Sequence, residues 1–278
     1  MNHIHAERDG PVGIIAIARG EHFNSLDVAT ARDLRKAGLG YARDRAIRAV
    51  ILRGINGVFC SGADLKYVRA GGDAEDLSYL KPAGANSAGG EFSEPFRQIL
   101  EYLHSTISEI KRAPKPFIAA VDGIAAAGGF GLAMACDLVV ASERASFEWA
   151  YSKTGLTGAE SSTFFLPRLV GLRRAMELVL LNPRLDAKRA LEMGLVNAVY
   201  PAARFEEETM AMARRLAAGP THAYAAAKAL INQAAGVDRL DHHLDRELES
   251  LARSAESADF AEGITAFFAR QAPGFKGR

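Results

Sequence analysis

Cysteine is scarce in this chain. Cys60 and Cys136 are the only two among 278 residues, and each lies in an apolar run. They cannot form a disulfide scaffold, and they read as buried, reduced thiols of a cytoplasmic protein. A surplus of charge is also missing. The 34 Lys and Arg offset 33 Asp and Glu to a formal net charge of +1, which argues against a nucleic-acid or membrane-surface partner. The longest apolar stretch, residues 117–141, is interrupted by Asp122, Asp137 and several glycines, so its uncharged part is too short to span a bilayer. The N-terminal Met1-Asn2-His3-Ile4-His5 has no apolar signal region. No internal repeat of roughly 20–50 residues stands out. Gly129-x-Gly131 lacks the third glycine of a dinucleotide fingerprint, because Met134 stands there. Asp241-His242-His243-Leu244-Asp245 is a poor metal site, since adjacent histidines on a helix point apart.

What remains is an ordinary globular composition, 49% apolar and 24% charged, long enough for one large domain or a domain with an appendage. Two stretches stand out within it. Val58-Phe59-Cys60-Ser61-Gly62-Ala63-Asp64-Leu65 and Asp122-Gly123-Ile124-Ala125-Ala126-Ala127-Gly128-Gly129-Phe130-Gly131 each run from a strand-like segment into a small-residue turn where a helix can begin. Such turns leave backbone N–H groups unpaired. Two of them converging on one point make an oxyanion hole, worth about 3–4 kcal/mol per donor to a developing oxyanion.

The rhythm around these turns is that of an α/β fold. Residues 12–18 and 46–53 read as strands, with an amphipathic helix over 26–44 between them and Asp27 in its first turn. Residues 96–112 carry an apolar face of Phe96, Ile99, Leu100, Leu103, Ile107 and Ile110, and Pro114 and Pro116 end that helix. Strands follow at 117–121 and 138–142, with a helix over 129–136. Residues 146–154 are ambiguous. Helices are expected at 163–170, 173–180, 186–193, 205–217, 221–235, 240–255 and 259–270. Residues 70–92, rich in Gly, Ala, Ser and Asp, read as a loop that is either a substrate lid or a surface excursion, with a short helix possible at 73–80.

These motifs are similar to those of the crotonase family, also called the enoyl-CoA hydratase/isomerase family. The resemblance rests on Phe59 to Leu65, on Asp122 to Gly129 with Ala133 to Asp137, on Leu166 to Gly171 with Ala190 to Asn197, and on Glu262 to Phe268 with Pro273 to Lys276. It runs collinearly over almost the whole chain. It implies an α/β spiral of ββα units over residues 1–204 and a helical oligomerisation region over 205–278. It implies homotrimers, often paired as dimers of trimers, and an acyl-CoA substrate that brings coenzyme A with it, with no other cofactor. By the same resemblance the thioester oxygen is held by the Ser61 and Gly128 amides. Ser61, Gly62, Ala63 and Asp64 would line the CoA arm, and Lys276 would meet CoA phosphates, from its own or a neighbouring subunit.

The chain departs from the family at the acid and base. Family hydratases carry two glutamates, which fall here on Gly131 and Tyr151. The aspartate used by some isomerases and by the aromatic acyl-CoA dehalogenase branch falls on Ala159. Three other groups are candidates. Glu160 reaches the acyl chain if its loop is shifted by one residue, and otherwise serves as an acid at a helix N-terminus. His104 has the spacing of the dehalogenase branch's base, and is otherwise a half-buried helix residue. Tyr151 is either a hydrogen-bond donor to an enolate or a pocket wall beside Trp149. Strand alternation turns Glu148 away from Tyr151. Three readings stay open: enolate chemistry on a CoA thioester with Glu160 carrying the proton, thioester hydrolysis or C–C cleavage with Tyr151 or His104, and a catalytically idle CoA-binding trimer.

Overall fold

The computed structural model describes residues 3–73 and 92–278. Most of the expected lid, residues 74–91, therefore lies outside the described residues.

Among the described residues ten strands form two sheets. The larger contains β1 (Ile4–Asp9), β2 (Val12–Ile17), β3 (Ala49–Gly54), β5 (Phe117–Val121), β7 (Leu138–Ser142) and β10 (Ala198–Tyr200), in the order β1-β2-β3-β5-β7-β10. Only β1 runs antiparallel to its neighbour in it. The smaller contains β4 (Val58–Cys60), β6 (Ile124–Ala126), β8 (Ser146–Glu148) and β9 (Leu185–Asp186), in the order β4-β6-β8-β9. Each pair β3/β4, β5/β6 and β7/β8 gives one strand to each sheet, so the chain spirals through repeated ββ units followed by helix. The repeat is geometric; its sequence is too varied to reveal it.

Alternation along the central strands explains the layers. Val50 and Leu52 face a core shared with α1 (Val28–Arg43) and α3 (Ser93–Arg112), while Ala49 and Ile51 face α8 (Phe205–Ala218). Both faces are covered, as a mostly parallel sheet requires. Because Phe205, Ala213 and Ala217 pack on the sheet, α8 shares the core of the spiral. α10 (Leu240–Ala255) lies along α3, and α11 (Ala258–Ala269) packs on the 3-10 turn Tyr151–Thr154.

Two local readings are corrected. Strand β1 was missing from the sequence reading because only Ile4 of its six residues is buried; it is recruited by a full antiparallel register against β2. Asp27 precedes its helix as the N-cap, where its carboxylate accepts the Thr30 N–H at 2.7 Å.

Candidate active site

The two glycine turns meet. β4 leads through Ser61 and Gly62 to α2 (Leu65–Arg69), and β6 leads through Ala127 to α4 (Gly128–Ala135). Gly62 has a φ of 93°. A β-carbon there would lie 2.8 Å from Ala127 Cβ and 3.1 Å from the Gly128 nitrogen, so the turn closes only with glycine. A β-carbon on Gly129 would lie 2.1 Å from the Cys60 carbonyl oxygen. The starts of α2 and α4 are thus in contact.

Beside them opens a cavity of ≈ 420 Å³, lined on one side by Ser61, Ala63 and Asp64 and on another by Ala126 and Ala127. Tyr151 and Glu160 also line it. Glu160 reaches the glycine turns: a β-carbon on Gly128 would lie 2.8 Å from Glu160 Oε1. Glu160 is 3% exposed, and the Tyr151 hydroxyl donates to its Oε2. The same hydroxyl lies 3.3 Å from the Ala159 carbonyl oxygen. Burial pushes the Glu160 carboxyl up to about 8, against the Tyr151 hydrogen bond, and Glu247 adds to the rise. Burial also raises the Tyr151 phenol well above its ordinary value, so it stays a neutral donor.

The turn that carries Glu160 is strained. Glu160 and Ser161 have φ of 50° and 62°, a left-handed conformation costing about 1–3 kcal/mol for each such residue. Through this turn Glu160 lines the cavity, whereas Ala159 does not. A second glycine makes room. A β-carbon on Gly131 would lie 2.4 Å from the Glu160 carbonyl oxygen.

Glu21, Asp64 and Glu148 also line the cavity, and the last two are engaged by cations. Asp64 accepts the Lys66 and Tyr67 N–H groups as N-cap of α2. Its Oδ2 and that of Asp27 each lie 2.9 Å from Arg19 Nη2. Glu148 pairs with Lys153 and, at 3.4 Å, with Arg184. Glu148 lines the cavity together with Tyr151, contrary to the alternation argument. β8 ends at Glu148 and Ala150 has a φ of 62°, so strand geometry does not continue to Tyr151.

His104 and Lys276 do not line this cavity. His104 is buried on α3, and its Nε2 has no hydrogen-bond partner among the described residues. Burial pushes its imidazole down to about 4, against the pull of Glu247 and Asp245. Lys276 sits in the C-terminal tail, where its N–H donates to Asp259 Oδ1 at 2.7 Å. Among the described residues no group of His, Cys, Asp and Glu could hold a metal ion. Burial pushes the Cys60 thiol up to about 12, so it is not a nucleophile.

Sequence reasoning missed Arg19, which joins Asp27 to Asp64, and Glu247, which touches the Glu160 turn. Nothing in the sequence spacing could reveal either, because both act across long stretches of chain.

The comparisons agree with this geometry. A family model described as enoyl-CoA hydratase/isomerase matches residues 7–278. A 4-chlorobenzoyl coenzyme A dehalogenase-2 from an Arthrobacter species is 33% identical over 97% of this chain and 92% of its own. A 1,2-epoxyphenylacetyl-CoA isomerase from Escherichia coli K12 is 32% identical over 95% of this chain and 94% of its own. The crystal structure of an enoyl-CoA hydratase from Mycobacterium avium subsp. paratuberculosis K-10 superimposes with a TM-score of 0.84 at 32% identity, covering 99% of this chain and 98% of that one. With the motif carried through nearly its full length and the fold matched throughout, this chain belongs to the enoyl-CoA hydratase/isomerase family.

Proposed function

We propose that the cavity binds an acyl-CoA thioester and that Glu160 moves a proton on it, shifting a double bond. One observation carries this reading: the buried Glu160 carboxyl lies against Gly128, at the mouth of the two glycine turns. A thioester oxygen accepting from the Ser61 and Gly128 amides would leave its α-carbon beside Glu160. Removing the α-proton builds charge on that oxygen, where each amide donor is worth about 3–4 kcal/mol. A carboxyl pushed up to about 8 is matched to accepting and returning a proton near neutral pH. After the proton leaves the α-carbon, Glu160 delivers it to the γ-carbon and the enolate collapses to the conjugated thioester.

Ordinary hydration asks for two carboxylates, one for water and one for the proton. Gly131 and Tyr151 supply neither. Asp64 and Glu148 are already paired with Arg19 and with Lys153 and Arg184. Isomerisation needs one carboxyl, and the similarity to a CoA-ester isomerase supports it; atypical hydration is the second product expected. The dehalogenase similarity is not matched by an acid at Ala159. No cofactor beyond the coenzyme A of the substrate enters this scheme. Ser61 to Asp64 would line the CoA arm, and Lys276, which does not line the cavity of its own chain, would meet CoA phosphates from a neighbouring subunit. Exposed Leu172, Met176, Leu180 and Leu181 on α6 (Leu172–Leu181) suit burial between copies in a trimer or a dimer of trimers. No helix among the described residues is long and apolar enough to cross a membrane, and the two free thiols suit a cytoplasmic setting.

The test uses trans-3-hexenoyl-CoA, with products read by mass and by absorbance of the conjugated thioester. The proposal expects trans-2-hexenoyl-CoA from the native protein, and at least a hundredfold less from Glu160→Gln with binding retained. Turnover that survives Glu160→Gln overturns it. Free CoA as the product would point instead to hydrolysis with Tyr151 taking part. Binding with no turnover of this or other acyl-CoA esters would point to an idle CoA-binding trimer.

A further inference from the structure

The turn that carries Glu160 is gripped from behind by a residue of a distant helix. Glu247 of α10 is buried. Its Oε2 accepts the Ser161 N–H at 2.8 Å, and its Oε1 accepts the Thr163 N–H at 2.9 Å and the Thr163 hydroxyl. Those two amides lie at the start of α5 (Ser162–Val170) and on the residue before it, where helix geometry leaves N–H groups without internal partners. A carboxylate is suited to take them all, being acceptor-only with two oxygens. With its hydroxyl hydrogen engaged by Glu247, Thr163 Oγ1 is left as an acceptor for His243 Nε2, 2.7 Å away.

The Glu160 turn is a partition. On one side Glu160 lines the acyl cavity; on the other Glu247 and Thr163 line a second cavity of ≈ 700 Å³. The turn is closed locally by the Ser162 N–H and hydroxyl, which both donate to the Ala159 carbonyl oxygen. The Ser161 side-chain oxygen has no partner among the described residues and caps nothing. The fixed point on the far side is Glu247.

We propose that Glu247 is the positioning residue of Glu160: it holds the left-handed turn that presents the carboxyl to the glycine turns. The proposal rests on the reading of Glu160 as proton carrier for its consequence on turnover, and on the geometry alone for the rest. Ionisable groups facing Glu160 are Tyr151 from the 3-10 turn, Cys60 from β4 and Glu247 from α10. Those facing Glu247 are His243 on its own helix, His104 from α3, Tyr151 from the 3-10 turn and Glu160 across the turn. Glu247 carries the like charge among the groups around Glu160, so its removal lowers the proton affinity of Glu160.

The test is Glu247→Gln, which keeps size but removes the charge and one of two acceptor oxygens, with Glu247→Ala as a second variant. The Glu160 carboxyl stretch is identified by difference infrared spectroscopy against Glu160→Gln, and its titration is followed without substrate. Turnover of trans-3-hexenoyl-CoA is followed against pH in parallel. The expected result is a Glu160 midpoint lower by about one pH unit, a tenfold loss of proton affinity. The pH–rate profile should move with it, and kcat should fall at least tenfold with KM nearly unchanged. An unchanged midpoint overturns the proposal, even if the variant is less stable, because a merely structural role would lower stability alone. If Glu160→Gln retains turnover, the proton-carrier reading fails, and the infrared midpoint still decides the role of Glu247.

Discussion

Glu160 occupies the space that any side chain on Gly131 would need: a β-carbon at 131 would lie 2.4 Å from the Glu160 carbonyl oxygen and 2.9 Å from its β-carbon. Gly131→Ala is expected to push the Glu160 turn outward, costing about 1–3 kcal/mol in stability as an overpacked site does. Gly131→Glu should do the same without restoring hydration of crotonyl-CoA. Chemical denaturation and product mass check both.

The Tyr151 hydroxyl donates to the Glu160 carboxylate, and this hydrogen bond lowers the Glu160 pKa. Tyr151→Phe should raise the Glu160 midpoint above about 8, in the direction opposite to Glu247→Gln. The rate should fall by roughly tenfold, as the removal of a charge-assisted hydrogen bond does. A pH–rate profile of each variant shows whether the two shifts have opposite sign.

Stability should depend on pH through the same carboxyl. Its folded value, about 8, is above the ordinary 4.5. Below 4.5 both states hold the proton, and Glu160 is neutral in its effect. Between 4.5 and 8 the unfolded chain ionises and the folded one does not, so stability falls as pH rises, and the loss is complete above the folded value. Glu160→Gln should therefore raise the melting temperature at pH 8.5 and leave it unchanged at pH ~4.

His104 acts at the acid end. Its folded imidazole is held at about 4 against an ordinary 6.5. The unfolded chain takes up a proton between these values and the folded chain does not, so stability falls as pH drops through this window. His104→Gln should flatten the decline between pH 6.5 and 4 and leave turnover of trans-3-hexenoyl-CoA within about threefold of native, because His104 lies outside the cavity. Melting curves across pH and one rate measurement test both.

The half-buried Arg19 lies between two buried carboxylates, 2.9 Å from Asp27 and from Asp64. Arg19→Ala leaves both unpaired and should cost about 3–5 kcal/mol. Because Asp64 also caps α2 beside Ser61 and Gly62, the affinity for acyl-CoA should fall as well. Denaturation and isothermal titration with a CoA ester separate the two effects.

Local pattern determined a large part of this protein. Period-2 alternation at 49–52 marks a strand covered on both faces, and 3.6-residue spacing from Phe96 to Ile110 marks the helix along which α10 lies. Both signals survive in the sequence because one strand or helix face needs only its own residues to be apolar. The glycines at 62, 128 and 129 were legible for the same reason: close backbone approach leaves no other choice of residue. β1 was not legible, because its pairing partner supplies its structure and only Ile4 is buried. The site was legible only as a hole without a proton carrier. Glu160, His104 and Tyr151 were candidates in one dimension, Glu160 foremost, with Glu148 set aside by strand alternation. Only the tertiary structure separates them, since it depends on a left-handed turn at 160–161 held from residue 247. Arg19 joins carboxylates at 27 and 64 in the same way. Burial, charge pairing and proton affinity are properties of a neighbourhood, and a neighbourhood assembled from distant segments has no trace in sequence order.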